Sequence, residues 1–459
     1  MKKHLFIIAT ILCSLESYCQ VLNYSDIGLL LSQSSTNGTA RFNSMAGAFG
    51  AVGGDLSSMR INPAAGAVFK LSEFGFSLAF NDLTTTSNYY GSSNRSNSNT
   101  TDFAQIGFVN ITDLSRYSDD WTKVFFGFNY VKTANYNNSW FADGNSGVTT
   151  WVEDPTDPDI LYTNAEYQNF DSFSKGGRHS YSFYGGAQWG KDIYFGIGVI
   201  TQTMDYYQNT IQEEFNNDGN GNTVDGYLEE WEQVRGNAIS FNFGIIAKVS
   251  RALRIGLSYE TASKWSMSEE SNLVKETPDD LLGYYELQYS TDPGFIYSNN
   301  YDKVLFYDYA LDTPGKLTAS AALVVGKLGL FSFDYTSNFY NQLQFPNALE
   351  FQSENGFFVS EIQNTMDLAA GAEIRAGVLR IRGGYKVKES PFKNDNQSSN
   401  QEEYSLGIGF DKGRYKLDIA YQYYTSNGTY DFYPDYREVQ PAILTQDLSK
   451  ITTSLLIRL

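Results

Sequence analysis

The sequence predicts an all-β chain, a 14-stranded antiparallel transmembrane β-barrel with a small N-terminal hatch, or plug, inside its lumen. Three observations predict it. Apolar and polar residues alternate in about fourteen separate segments. The connections between those segments are short and long in turn. No run of about eighteen apolar residues offers a membrane-crossing helix.

The composition agrees with that class. Of 459 residues, 16% are aromatic, with 34 Tyr and 32 Phe against only 10 Pro. Aromatic strands and glycine-bearing turns suit that mix better than helices do. Length alone admits two or three soluble domains, but large barrels run long as single units. The formal net charge of −19 excludes a nucleic-acid binder, which clusters Lys and Arg, and reads as an acidic surface. A mean hydropathy of −0.35 resembles that of a soluble chain. In a barrel only every second strand residue meets lipid, so hydropathy does not register the membrane.

The N-terminus has the pattern of a secretory signal peptide over residues 1–19. Lys2 and Lys3 form a positive start, Leu5 to Leu15 an apolar stretch too short to span a bilayer, and Ser17-Tyr18-Cys19 a small-residue cleavage site before Gln20. Cys13 and Cys19 are the only cysteines, so the mature chain is expected to have no thiol and no disulfide. Glu16-Ser17-Tyr18 is not the small apolar run that precedes a lipidated cysteine. A signal peptide followed by barrel strands implies a multi-pass protein of a Gram-negative outer membrane. The expected division is residues 1–19 signal peptide, 20–70 plug and 71–459 barrel with long extracellular loops.

Strands are expected near 71–81, 102–110, 121–133, 179–189, 192–204, 236–249, 252–264, 315–326, 328–339, 362–375, 378–388, 402–411, 414–425 and 448–459. Phe74, Phe76, Leu78 and Phe80 share one face, as do Ile255, Leu257 and Tyr259, and Leu417, Ile419, Tyr421 and Tyr423. That is the half-buried strand signal. Tight turns fall at 189–192, 249–252, 326–329, 375–378 and 411–414. Long polar stretches fall at 82–101, 134–178, 205–235, 265–314, 340–361, 389–401 and 426–447. Segregation of this kind marks short periplasmic turns and long external loops, and a soluble sandwich has no reason for it. The chain alternates to its last residue, Leu459, as a terminal strand read by barrel assembly machinery does.

Residues 20–70 do not alternate and are rich in Gly, Ala and Ser. Small residues allow close backbone packing in a confined space, and Pro63 holds Asn62 extended. A compact plug follows; a disordered periplasmic tail is the competing reading. Arg41, Met45, Gly47-Ala48, Asp55 and Asn62-Pro63-Ala64 together resemble the hatch signature of the FadL-type outer-membrane transporters of hydrophobic compounds. Ala46 stands where that family usually has Gly, and Ala65 delays the last Gly to Gly66. The strand count and loop alternation extend the likeness over the mature chain. The resemblance implies passive passage of long-chain fatty acids or aromatic hydrocarbons, caught outside, held in an apolar pocket above the hatch, and released sideways through the wall. Gly127, in the third strand, lies where a family-like kink could fall.

Phe42, Met45, Phe49 and Met59, with Asn62, Pro63 and Ala64, are the candidate pocket residues, because Met and aromatic side chains adapt to greasy ligands; plug core is the alternative. Alternation points Arg254, Glu260, Asp334, Asp367, Glu373, Arg375, Arg380, Arg382, Lys416 and Asp418 into the lumen. Arg380 or Arg382 is the candidate partner of a ligand carboxylate, against a role as internal struts. Asp218, Asn220, Asn222 and Glu229 have the 1, 3, 5, 12 spacing of a calcium loop but lack its Gly at position 6; a solvated hairpin tip is the competing reading, and no other metal is expected. His179 is the one histidine of the mature chain, thin supply for haem and for any Ser–His–acid site. Neither enzymatic activity nor a cofactor is expected. The expected partners are outer-membrane lipid, hydrophobic small molecules and the assembly machinery, with no nucleic acid, around a monomer. The alternative function is a FadL-like barrel serving protein secretion or surface anchoring. A polar-solute porin is disfavoured by the plug.

Overall fold

The computed structural model describes residues 22–33, 35–272, 283–298, 304–394, 400–433 and 439–459. The expected signal peptide lies outside the described residues. The chain opens with helices α1 (Tyr24–Ser32), α2 (Ala40–Asn43) and α3 (Ser58–Ile61) and a 3-10 turn over Pro63–Val68. Strands follow: β1 (Glu73–Tyr89), β2 (Ser92–Asp113), β3 (Trp121–Asn135), β4 (Asn138–Gly144), β5 (Asn164–Trp189), β6 (Ile193–Asn217), β7 (Thr223–Lys248), β8 (Leu253–Glu260), β9 (Ser263–Ser271), β10 (Tyr284–Tyr289), β11 (Ile296–Ser298), β12 (Leu305–Thr313), β13 (Lys316–Val325) and β14 (Gly329–Asn338). Helix α4 (Gln352–Glu361) precedes β15 (Thr365–Ala376), β16 (Leu379–Lys388), β17 (Gln401–Asp411), β18 (Tyr415–Tyr430) and β19 (Ala442–Arg458).

These strands form one closed antiparallel sheet, with β1 pairing to β19 from Glu73↔Arg458 to Asn88↔Ile443. Three staves are broken in two. β3 and β4 both pair with β5, β8 and β9 both pair with β7, and β12 and β13 pair with β9 and β8. The β10–β11 hairpin extends the sheet at the far end of β7, beyond β9. Counting each broken stave once gives the fourteen strands that the alternation predicts.

The strands run much further than expected. Residues 82–101, read as a loop, are paired strand up to a tight turn at Tyr90-Gly91. The 205–235 stretch is likewise strand except around 218–222. β5, β6 and β7 have 26, 25 and 26 residues, where a bilayer needs only about ten. Beyond lipid a strand needs no apolar face, so Ser92–Thr101, built from Ser, Asn, Thr and one Arg, reads as loop by polarity while pairing in register.

The outward face carries the membrane belt. Phe195, Ile197 and Val199 of β6, Ile239, Phe241, Phe243 and Ile245 of β7, and Phe331, Phe333 and Tyr335 of β14 are all exposed. An apolar band that continues around a closed sheet has lipid as its solvent. No helix among the described residues is long and apolar enough to cross a membrane; the crossing is made by strands.

The segment before β1 lies inside the barrel. Arg41 reaches Glu373 on β15, Asn62 bonds Ile245 O on β7, and the Ala40 amide donates to Ser454 on β19. The amides of Phe49 and Gly50 donate to Asp334 on β14. One short segment touches strands right round a closed sheet only from within. Inward glycines make room for it. A Cβ on Gly196 would lie 2.3 Å from the backbone of Pro63 and Ala64. Gly196→Ala is therefore expected to destabilise the barrel by about 1–3 kcal/mol through overpacking, as read from the temperature at which heat-modifiability on a gel is lost. An unchanged temperature would mean that the plug yields freely at this point.

Candidate functional site

Helix α1 is set by local sequence and held at both ends. The Asn23 side chain accepts from the Asp26 amide at 2.9 Å, capping the first turn. Ile27, Leu29 and Leu31 are buried against Trp265, Met267, Leu343, Phe345 and Phe358. The last turn leaves carbonyls without helical partners. The buried Arg178 guanidinium, from β5, donates to Leu31 O and to Gln33 O just past it, cationic help where the helix dipole is negative. The chain then descends the lumen wall. Asn37 donates to Lys132 O at 2.6 Å and Lys450 donates to Thr36 O at 2.7 Å.

Below lies the hatch. Thr39 caps α2, and its hydroxyl donates to Asp55 at 2.8 Å. Asp55 also accepts from the Ser57 amide at 3.0 Å. Asn62 donates to Gly50 O at 2.9 Å and accepts from the Ala64 amide at 3.1 Å, so it ties two turns of the plug to each other. Arg41 donates to Glu373 at 2.9 Å. The polar residues of the hatch signature are thus the fasteners of the hatch.

Between α1 above and the hatch below is a cavity of about 920 Å³. Asp26, Leu30 and Gln33 contribute to its roof, and Phe42, Gly47, Arg60 and Ile61 to its floor. One wall carries Glu260, Lys316, Asp367, Lys386 and Lys388, from β8, β13, β15 and β16. Lys316 and Lys386 form no salt bridge among the described residues, whereas Lys132 across the cavity is paired with Asp102 at 2.7 Å. Leu83, Tyr340, Phe357, Leu444 and Leu448 supply apolar surface. The lining mixes these apolar side chains with charged and amide ones.

The cavity meets the barrel wall where the wall's backbone pairing stops. The β2–β3 ladder ends at Gln105↔Val131. Just beyond it Ala104 is skipped in the β1–β2 register, and Thr133 in the β3–β5 register. Both lie beside cavity-lining residues, Asp102 and Ala104 on one strand and Lys132 and Ala134 on the other. Side chains bridge the gap: Asp102 accepts from Lys132 at 2.7 Å, Asn81 at 2.8 Å and Asn135 at 2.9 Å. Gly127, by contrast, pairs regularly with Val109 and Tyr184. The irregularity falls a few residues further out along the same strand.

This chain, with its barrel, the segment inside it and the cavity, superposes over most of its length on solved structures. A Pseudomonas aeruginosa FadL homologue matches with a TM-score of 0.60 at 14% identity, over 93% of this chain and 98% of that one. The Pseudomonas putida toluene transporter TodX matches with a TM-score of 0.56 at 10% identity, over 92% and 99%. The CymD monoaromatic hydrocarbon channel matches at 0.51 and 10%, over 93% and 98%. The chain has the FadL-type fold. Identities this low carry the fold and not the solute. No family model matches the sequence, and no curated protein does.

Within the FadL-type fold the sequence-selected residues separate by height. Met45, Phe49 and Met59 are completely buried in the hatch core, and Pro63 and Ala64 wedge against Gly196. Of the seven selected hatch residues Phe42 alone lines the cavity. Arg382 donates to Glu373 at 2.8 Å and Asp418 at 2.6 Å, and Arg380 donates to Gly377 O at 2.6 Å beside an inner turn. Neither arginine borders the cavity. Strand parity gives a residue's face but not its height. Lys386 and Lys388, further out on that same face, are the β16 cations that reach the cavity. Parity also points Lys316 inward with Thr318 and Ser320, a signal available in the sequence and not taken up.

The calcium-loop residues do not converge. Asp218 caps the turn, accepting from the Asn220 amide at 2.7 Å and the Asn222 amide at 3.0 Å. Glu229 lies seven residues further along β7, about 20 Å away at strand rise, where Asn209 and Tyr227 donate to it. Spacing drawn from a helix–loop–helix frame loses its meaning once the second half is extended. Among the described residues no cluster of three or more metal-ligating side chains is present.

Proposed function

We propose that the protein is a passive outer-membrane channel for hydrophobic compounds, and that its solute is an amphipathic one with an anionic head, such as a long-chain fatty acid. The observation that carries this reading is the cavity between α1 and the hatch. It is large enough for a folded alkyl chain, is closed off from the inner side by the plug, and borders the end of the β2–β3 ladder. Lys316 and Lys386 are placed to receive the head group by charge-assisted hydrogen bonds. The tail lies on Phe42, Leu83, Leu444 and Leu448. Exit is sideways, between Ala104 and Ala134, where side chains rather than backbone close the wall. A solute delivered there enters hydrocarbon without crossing water, and its own gradient drives it.

Charge-assisted hydrogen bonds are worth about 1.5–3 kcal/mol each. Replacing Lys316 and Lys386 together with Ala is therefore expected to weaken binding of a long-chain carboxylate at least tenfold, and to leave a neutral alcohol of the same chain length nearly unaffected. Titration of the purified barrel with both probes reads the difference. Equal losses for the two would place the head group elsewhere.

A second reading, a barrel that presents its outer end to a protein partner in secretion or surface anchoring, draws on the height of that end. Two aromatic cores lie above the belt, one around Tyr89, Trp140, Phe170 and Phe432, the other around Trp151, Tyr162 and Tyr289. Carboxylate binding that follows the cavity lysines favours the channel.

A further inference from the structure

We propose that α1 is a proton-controlled lid: Glu232 and Glu269 hold it over the cavity while they retain a proton between them, and release it when both are ionised. The functional consequence rests on the cavity being the transport compartment; the latch itself does not.

Glu232 on β7 and Glu269 on β9 are diagonal neighbours, since Val234 pairs with Glu269 and Glu232 with Ser271. They are 1% and 8% exposed. Both face inward beneath the start of α1, where the Tyr24 hydroxyl lies near Glu269 and favours its ionised form. Among the described residues, one oxygen of each carboxyl has no hydrogen-bond partner, and neither has the Tyr309 hydroxyl. The site stands above the lipid belt: the outward residues at this height are Gln233, Arg235 and Glu270, whereas Ile239 and Phe241 further in are apolar.

Among the described residues, the charged groups that face the pair are acidic. α1 brings Asp26 with Tyr24, α4 brings Glu354, β7 itself brings Glu230, and β6 and β12 bring Tyr206 and Tyr309. The nearest basic residue of β7, Arg235, points to the other face and pairs with Glu270 at 3.1 Å. Arg178 holds the opposite end of α1. Two adjacent buried carboxylates cannot both ionise cheaply, and no described cation faces them. A shared proton removes the repulsion and lets one carboxyl donate to a free oxygen of the other. Burial together with the neighbouring carboxyls pushes Glu232 well above the ordinary carboxylate range, and burial pushes Glu269 up.

The sign follows from linkage. These groups bind protons more tightly with α1 seated than with it released. Their contribution to seating is complete below the ordinary carboxylate pKa and is lost as pH rises through the raised values. Once both are ionised, Asp26 is repelled and α1 lifts from the cavity roof.

The test is a nitroxide on Gln33→Cys, at the exposed end of α1, in the full mature chain in lipid bilayers. At about pH 5 the spectrum should be immobile, and a mobile component should grow as pH rises, with a midpoint well above the value near 4.3 of an exposed Glu. Glu232→Gln combined with Glu269→Gln should stay immobile to about pH 9, losing the transition entirely. Should that pair fail to assemble, Tyr24→Phe removes the hydroxyl that favours ionised Glu269, and should move the midpoint upward. A spectrum without pH dependence overturns the proposal. So does a transition that survives both carboxyl substitutions, or a midpoint unmoved by Tyr24→Phe. Release of α1 without any change in carboxylate uptake supports the latch and contradicts the transport reading.

Discussion

Deleting residues 20–70 is expected to turn a closed barrel into an open pore. The wall does not need the segment for its pairing. β1 closes on β19 through backbone bonds over its whole length, and the belt faces lipid either way. What the deletion removes is the filling: the hatch core around Met45, Phe49, Leu56 and Met59 and the fasteners Arg41, Asp55 and Asn62. A fourteen-strand lumen emptied of side chains and plug is a water-filled channel. In planar bilayers the intact chain should show little conductance, and the deleted chain a large, weakly selective one. Swelling of liposomes in sugar solutions should change in parallel. Conductance that is the same for both would mean that the segment does not seal the lumen.

The second large effect is expected at Glu373. Its carboxylate is 2% exposed and accepts from Arg41 at 2.9 Å, Arg375 at 2.8 Å and Arg382 at 2.8 Å. Arg382 is itself buried and continues to Asp418 at 2.6 Å. One acid thus ties the hatch, through Arg41, to β15 and β16. Glu373→Gln keeps the shape and removes the charge, leaving buried guanidinium groups short of a counter-ion. Breaking a buried pair from one side costs about 3–5 kcal/mol. The variant should unfold at markedly lower denaturant or temperature, and the hatch should become open to protease near Arg41 before the barrel itself fails. A loss confined to a few tenths of a kcal/mol would mean that water already screens this site. The paired variant Arg41→Met with Glu373→Gln should lose less than the sum of the two single changes, because the partners act on one interaction.

The strand count and the inner turns were legible because they follow from parity and from tight-turn chemistry, which the sequence carries locally. Phe331, Phe333 and Tyr335 face out in the structure as their spacing requires. The height of the barrel was not legible. Polar strands such as Ser92–Thr101 carry no apolar face, and the pairing that makes them strands lies in their neighbours. That the segment before β1 packs compactly was legible through its small residues and its Arg41-to-Gly66 pattern. Its side chains were assigned to a pocket because chemistry alone does not separate a greasy core from a greasy lining. Met45 and Met59 fill the core, and the cavity lies one layer further out. Its cations were hidden for the same reason. Arg382 and Lys386 share a face, and which of them meets a void and which meets Glu373 depends on how high the hatch rises. Helix α1 had a readable start at Asn23 followed by apolar residues, but its role as roof depends on Phe345 and Phe358, more than three hundred residues away in sequence.

The most direct measurement of the channel reading is uptake of a radiolabelled long-chain carboxylate into liposomes that contain the purified barrel, run beside a sugar of similar mass and beside the variant Ala104→Trp, which fills the wall where β2 and β3 part. Saturable uptake of the carboxylate, no uptake of the sugar, and a fall to the protein-free rate in Ala104→Trp are the results expected. Carboxylate flux no greater than in protein-free liposomes, or flux of sugar and carboxylate alike, would contradict a plugged channel for hydrophobic solutes.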